Sequence, residues 1–292
     1  MGVKAAVEKA RMALSSGRAV WCLHELVHNE TVIDELRANG MRFVESPDDV
    51  PQGETVLFSA HGVPPAVRQK AEARGLGVID TTCPFVARAH RQVRSCAGKG
   101  MPVVIVGHAE HVEVAGLVGE YRDARNGAYV AVVKDVGDVR SLPFAEKDEV
   151  CVVCQTTLSS ELVDRVLETL RARYPRLLET PASETCTATR DRQRAVREFV
   201  MADGRPDRAG VLVLGGARSS NTLRLAETAV SAGAKAWRIS GPEEFASCDF
   251  SGIERLGLTA GASTPEPVVD AVYRLAAELQ SGRVRAKMND RF

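Results

Sequence analysis

Short β-branched runs alternate with segments of helical period along nearly the whole chain, and this alternation leaves few folds open. Residues 19–23, 55–59, 103–106, 129–133, 150–154, 211–214, 236–239 and 256–258 read as strands. Residues 30–39, 66–74, 86–98, 160–173, 191–201, 221–232 and 266–279 read as helices, many closed by Gly, Pro or Ser. Strands and helices in this order make parallel sheets with helices on both faces, an α/β fold. Pro84 follows a strand at 78–80, and a loop near 180–185 follows the helix at 160–173. These breaks divide the chain into three small α/β domains, 1–82, 83–180 and 181–280. The basic, aperiodic stretch 281–292 is expected to be a loose tail.

The opening is unusual. Val3, Ala6, Val7, Ala10, Ala13 and Leu14 form a helix stripe at once, where a doubly wound unit ordinarily begins with a strand.

Charge and length exclude several function classes. The 292 residues carry 38 basic and 38 acidic side chains, so the net field gives nucleic acid or an anionic membrane no attraction. No apolar run reaches membrane-spanning length, and the mixed-charge start is not an export signal. A cytoplasmic, reducing location follows, in which the seven cysteines are not a disulfide framework.

Polar residues gather where strands end, the place at which open α/β sheets bind ligands. The stretches are Ser59–Gly62, Gly107–Glu113, Gln155–Thr157, Gly215–Asn221 and Thr259–Ser263. Five of them in one chain favour a shared polar centre. Ser219, Ser220 and Asn221 open a helix after a glycine turn, and Ser263 precedes Pro265; such positions suit a phosphate group, although plain N-capping explains either one alone. His28, His61 and His111 could add donors to the same anion, or could be packing residues.

Two thiols stand apart from the rest. Cys83 ends a strand before Pro84, and Cys186 directly precedes a helix; a helix N-terminus lowers a thiol's pKa and suits metal ligation. Cys151 and Cys154 lie on one strand with their side chains on opposite faces, so they read as core, as do Cys22, Cys96 and Cys248. Glu113, beside His111 in a polar loop at a strand end, could hold a proton for a substrate carbon; the plainer reading is a solvated loop glutamate.

Read together, these motifs resemble the 4-hydroxy-3-methylbut-2-enyl diphosphate reductase family from residue 2 to about residue 279. They include Glu25–Asn29, Ser59–Val63, Asp80–Pro84, His111–Val114, Gln155–Ser159, Cys186–Thr189 with Arg192 and Gln193, Ser219–Asn221 and Thr259–Ser263, in the family's order. The resemblance implies three domains around a central cavity holding a [4Fe–4S] cluster and an allylic diphosphate substrate, with Cys83 and Cys186 as cluster ligands. It further implies diphosphate contacts from His28, His61, His111, Ser219, Ser220, Asn221 and Ser263. Thr156 would meet the substrate hydroxyl, Glu113 would donate the proton, and ferredoxin or flavodoxin would supply electrons.

Departures from the pattern are few. Val112 stands where the family has proline, Ala115 where glutamate is common and Thr187 where tyrosine is frequent. The family opens on a strand ending Gly-Phe-Cys-x-Gly-Val, and Gly2-Val3 matches its tail, which puts the third cluster cysteine one residue upstream of Met1. The codons before Met1 are therefore expected to encode a strand ending in Gly-Phe-Cys, and residues 1–292 alone are expected to bind little iron. The alternative is a cluster-poor relative that binds diphosphates without reducing them.

Overall fold

The computed structural model describes residues 2–124, 129–280 and 285–288. In chain order the elements are α1 (Gly2–Ser15), β1 (Val20–Leu23), α2 (Glu30–Ala38), β2 (Arg42–Val44), β3 (Thr55–Phe58), α3 (Pro65–Ala73) and β4 (Gly77–Asp80). They continue as α4 (Pro84–Gly98), β5 (Val103–Val106), α5 (Val112–Ala124), β6 (Val130–Val133), α6 (Val136–Val139), β7 (Val150–Cys154), α7 (Ser160–Arg173) and β8 (Leu177–Leu178). The chain ends through α8 (Thr187–Met201), β9 (Ala209–Leu214), α9 (Ser220–Ser231), β10 (Lys235–Ile239), β11 (Arg255–Ala260), α10 (Glu266–Gln280) and β12 (Arg285–Met288). Among the described residues no helix is long and apolar enough to cross a membrane.

All strand pairs are parallel, as the alternation implies. Three four-stranded sheets form, in the orders β2-β1-β3-β4, β6-β5-β7-β8 and β10-β9-β11-β12. The order is the same each time. From its central pair the chain leaves the first strand in one direction and the third in the other. Right-handed crossovers then send the following helices to opposite faces, which opens a crevice at the carboxyl ends of that pair.

The central strands β5, β7 and β9 are apolar on both sides because both faces are covered there. In the second sheet Val104, Val106, Val152 and Cys154 enter one core, while Val103, Ile105, Cys151 and Val153 enter the other. The period of two thus puts Cys151 and Cys154 on opposite faces, both buried. Val211 and Val213 face one core of the third sheet, Leu212 and Leu214 the other. Cys22 is buried in β1, and desolvation pushes its thiol up to about 12.

Two compact units result: Met1–Val27 with Ile33–Cys186, which holds the first two sheets, and His28–Val32 with Thr187–Phe292, which holds the third. The sequence division at 82/83 falls inside the first unit, where α4 and α5 pack along each other and α3 also meets α5.

Three departures concern the elements themselves. The short strands β2 and β8 carry too few residues to show a period. The tail expected to be loose contains β12, whose Arg285–Met288 pairs with Arg255–Leu258 of β11 at the edge of the third sheet. The remainder of that tail, 281–284 and 289–292, lies outside the described residues. The segment read as a polar loop through Glu113 is instead the start of α5, whose buried Val114, Leu117 and Tyr121 keep a helical spacing.

Candidate functional site

In the first unit four strand ends bring side chains together. Beyond β4, Cys83 is the N-cap of α4, with extended backbone (φ −57°, ψ 135°) and Pro84 at the first helical position. Its N–H donates to Ala60 O at 3.0 Å, tying it to the turn that carries His61. The helix start is expected to lower the thiol's pKa, but the structure reverses this. Burial pushes Cys83 up against the pull of the Phe85 and Val86 amides, and the charges of Cys186 and Glu113 add to the rise. Desolvation is the largest of these influences and outweighs both amides.

Cys186 precedes α8, and its N–H donates to Thr156 O at 3.3 Å. Thr156, just past β7, in turn grips Glu113. The Thr156 N–H donates to Glu113 Oε1 at 2.7 Å and its hydroxyl to Oε2 at 2.9 Å. Glu113 lies in the first turn of α5, only 1 % exposed, so the solvated-loop reading is excluded. Burial pushes its carboxyl up to about 7 against the pull of both Thr156 bonds. Val112 occupies the first position of α5, where proline is equally at home, which accounts for the interchange there.

His111 Nδ1 accepts from the Glu113 N–H at 3.2 Å, which leaves any proton of the neutral ring on Nε2. The His61 and His111 rings stand edge to face with centroids 5.8 Å apart, and Ser59 Oγ lies 3.4 Å from His61 Nδ1. Two imidazoles, a buried carboxyl and two thiols therefore share one region. Gly2, at the start of α1, packs so closely on Cys83 that any side chain there would collide with the sulfur.

Gln155 has a structural role that the sequence motif does not reveal. It is fully buried, accepts from the His108 N–H at 3.1 Å and donates to Thr157 Oγ1 at 3.1 Å. A glutamine ending an otherwise apolar strand was the available signal.

The second unit assembles its own polar set at the ends of β9 and β11. Ser219 is the N-cap of α9 and accepts from the Thr222 N–H at 3.3 Å, so part of its role is plain capping. Ser220 begins the helix. Asn221 is 8 % exposed, yet neither atom of its carboxamide finds a partner among the described residues. Unpaired buried amides are costly, so this one points to a ligand. His28 and Asn29 lie along Gly216, where a side chain would stand 2.8 Å from His28 O. Ser263 is in the turn before α10, next to Thr264, which donates to Leu214 O at 3.1 Å.

Among the described residues no three His, Cys, Asp or Glu side chains are grouped to hold a metal. Cys83 and Cys186 are nonetheless partly exposed thiols within electrostatic reach of each other, which suits part of a ligand set for iron.

Comparison with known proteins follows this geometry. The profile of the family described as LytB protein matches residues 1–276. The chain is 41 % identical over 281 residues to the 4-hydroxy-3-methylbut-2-enyl diphosphate reductase of Chlamydia trachomatis serovar D, covering 95 % of this chain and 88 % of that one. It is 43 % identical over 273 residues to the enzyme of that name from Pseudomonas aeruginosa strain LESB58, covering 93 % and 85 %. Among solved structures it is similar to the E-1-hydroxy-2-methyl-but-2-enyl-4-diphosphate reductase from Plasmodium falciparum. That match has a TM-score of 0.90 at 27 % identity, over 100 % of this chain and 89 % of that chain.

Proposed function

The chain belongs to the LytB protein family, and from that premise we propose that it is a 4-hydroxy-3-methylbut-2-enyl diphosphate reductase. The reaction replaces the allylic C–OH of the substrate by C–H. It consumes two electrons and two protons and gives isopentenyl or dimethylallyl diphosphate and one water.

The observation that carries this reading is the buried Glu113. A carboxyl pushed up to about 7 keeps a proton near neutral pH and can still give it away, which is what a general acid needs. The Thr156 hydroxyl, which donates to Glu113 Oε2, would accept a hydrogen bond from the substrate hydroxyl. His61 and His111 in the first unit offer donors to diphosphate oxygens. In the second unit His28, Ser219, Ser220, Asn221 and Ser263 do the same, with the N-terminus of α9 favouring the negative charge.

Cys83 and Cys186 would be two of the thiolates holding a [4Fe–4S] cluster. When bound, such a cluster supplies the electrons and a Lewis-acidic iron for the leaving hydroxyl. A small iron–sulfur or flavin protein, ferredoxin or flavodoxin, would be the electron source.

The test is anaerobic reconstitution with iron and sulfide of the chain carrying a strand ending Gly-Phe-Cys ahead of Met1, reduction by dithionite through a viologen mediator, and mass-spectrometric analysis of the products. Formation of isopentenyl or dimethylallyl diphosphate is expected. Iron-loaded protein that binds the substrate and returns it unchanged would overturn the reductase in favour of a diphosphate-binding module.

A further inference from the structure

Apart from the residues given roles above, the first unit holds a polar cluster of His90, Glu120 and Arg94 between α4 and α5. His90 lies on the inner face of α4, 6 % exposed, two turns beyond Cys83. Its Nδ1 stands 2.9 Å from Glu120 Oε1, and since a carboxylate only accepts, that nitrogen donates. Glu120, on α5 and 4 % exposed, also accepts from Arg94 Nε at 3.0 Å and Arg94 Nη2 at 2.9 Å. Burial pushes the Glu120 carboxyl up, but the bonds from His90 and Arg94 outweigh it and hold it below its ordinary value.

The opposite edge of the ring has no such partner. Nε2 is buried and makes no hydrogen bond among the described residues. It rests against two glycines instead. A side chain on Gly62 would stand 2.9 Å from Nε2, and one on Gly116 3.1 Å from Cε1. Gly62, at φ +76°, directly follows His61, and Gly116 is one turn beyond Glu113.

Packing alone does not account for this choice. An apolar side chain would fill the gap without burying a polar ring, one of whose nitrogens is left unpaired at some cost. What the pairing with Glu120 does supply is a fixed ring angle, because Glu120 is itself clamped by Arg94. We propose that His90, oriented by Glu120 and Arg94, is the positioning residue that sets the His61 turn and the first turn of α5 against the Cys83 end of α4. It acts through Gly62 and Gly116 and touches no substrate. The inference deepens the reductase reading and rests on it for the roles of His61 and Glu113.

His90→Asn tests it, because the amide keeps a donor where Nδ1 stood and empties the edge facing the glycines. Two backbone bonds report the effect: Gly62 N–H to Ser59 O at 3.1 Å and Ala115 N–H to His111 O at 3.0 Å. In the full chain, hydrogen exchange at these amides should quicken by about tenfold or more while helix α7 is unchanged. In the reconstituted enzyme kcat/KM should fall on the order of a hundredfold. Gly116→Ala is the second variant: alanine is the better helix former, so α5 survives, while its methyl presses on the ring. It should cost kcat/KM similarly without lowering the melting temperature. Unchanged exchange at Gly62 and Ala115, faster exchange throughout the unit, or a Gly116→Ala enzyme with wild-type kcat/KM would each overturn the proposal. A wild-type chain without turnover would overturn the reductase reading, and the exchange data would still decide this one.

Discussion

Thr156 meets Glu113 twice, its backbone N–H on one carboxylate oxygen at 2.7 Å and its hydroxyl on the other at 2.9 Å. Burial opposes the anion and these two bonds favour it, so the balance at about 7 depends on both residues.

Glu113→Gln should keep substrate binding nearly intact and lower kcat by about 10²- to 10⁴-fold. The amide oxygen can accept from the Thr156 N–H, and the rotated Thr156 hydroxyl can accept from the amide nitrogen, so the shape survives without a transferable proton. Steady-state kinetics with a separate binding titration check this. Wild-type kcat would assign the proton to another group.

The same carboxyl makes stability depend on pH. Its folded pKa lies above the ordinary 4.5, so the folded state binds the proton more tightly than the unfolded one. The resulting stabilisation is complete below 4.5 and is lost as pH rises through about 7. Relative to Glu113→Gln, the wild-type chain should therefore lose about 3 kcal/mol across that window. Denaturant unfolding of both proteins at its two ends measures the gap, and a pH-independent gap would contradict the assignment.

Thr156→Val removes the hydroxyl donor and leaves the backbone one. With one anion-stabilising bond gone, burial acts less opposed and the Glu113 pKa rises. The alkaline limb of kcat against pH should move up by about one unit. An unmoved limb would mean that Glu113 does not set it.

Asn221→Leu replaces an unpaired buried amide by an apolar group of similar size. The fold should gain about 1–2 kcal/mol, while inorganic pyrophosphate should bind about tenfold more weakly or worse. Calorimetry gives both quantities. Tighter binding, or a lowered melting temperature, would remove Asn221 from the diphosphate set.

What the sequence made legible was whatever one element decides by itself. Val103–Val106 and Val150–Cys154 read as strands because both faces of a covered parallel strand are apolar. The ends of β3, β5, β7, β9 and β11 stood out because polar residues interrupt those runs. Helix α5 did not stand out, since Gly116 and Gly119 lower its intrinsic propensity. They are there because His90 and Pro64 lie against them, a reason that exists only once three elements are packed. The direction of the Cys83 pKa is not legible in the sequence for a related cause. Proximity to a helix start is local, whereas the desolvation that outweighs it comes from the surrounding fold. His90 itself fell on the apolar stripe of α4 with Val86 and Val93, so nothing in the pattern set it apart.

Cys83 and Cys186 bracket the second sheet, one just before α4 and the other just before α8. Any group that holds both thiols closes a chain loop of about a hundred residues, and by the polymer argument for cross-links that restricts the unfolded state by about 4–5 kcal/mol. If the proposed cluster is that group, iron loading and the folding of β5–β8 form one equilibrium. Oxygen that strips the metal would loosen the sheet carrying Thr156 as well as removing the electrons' route.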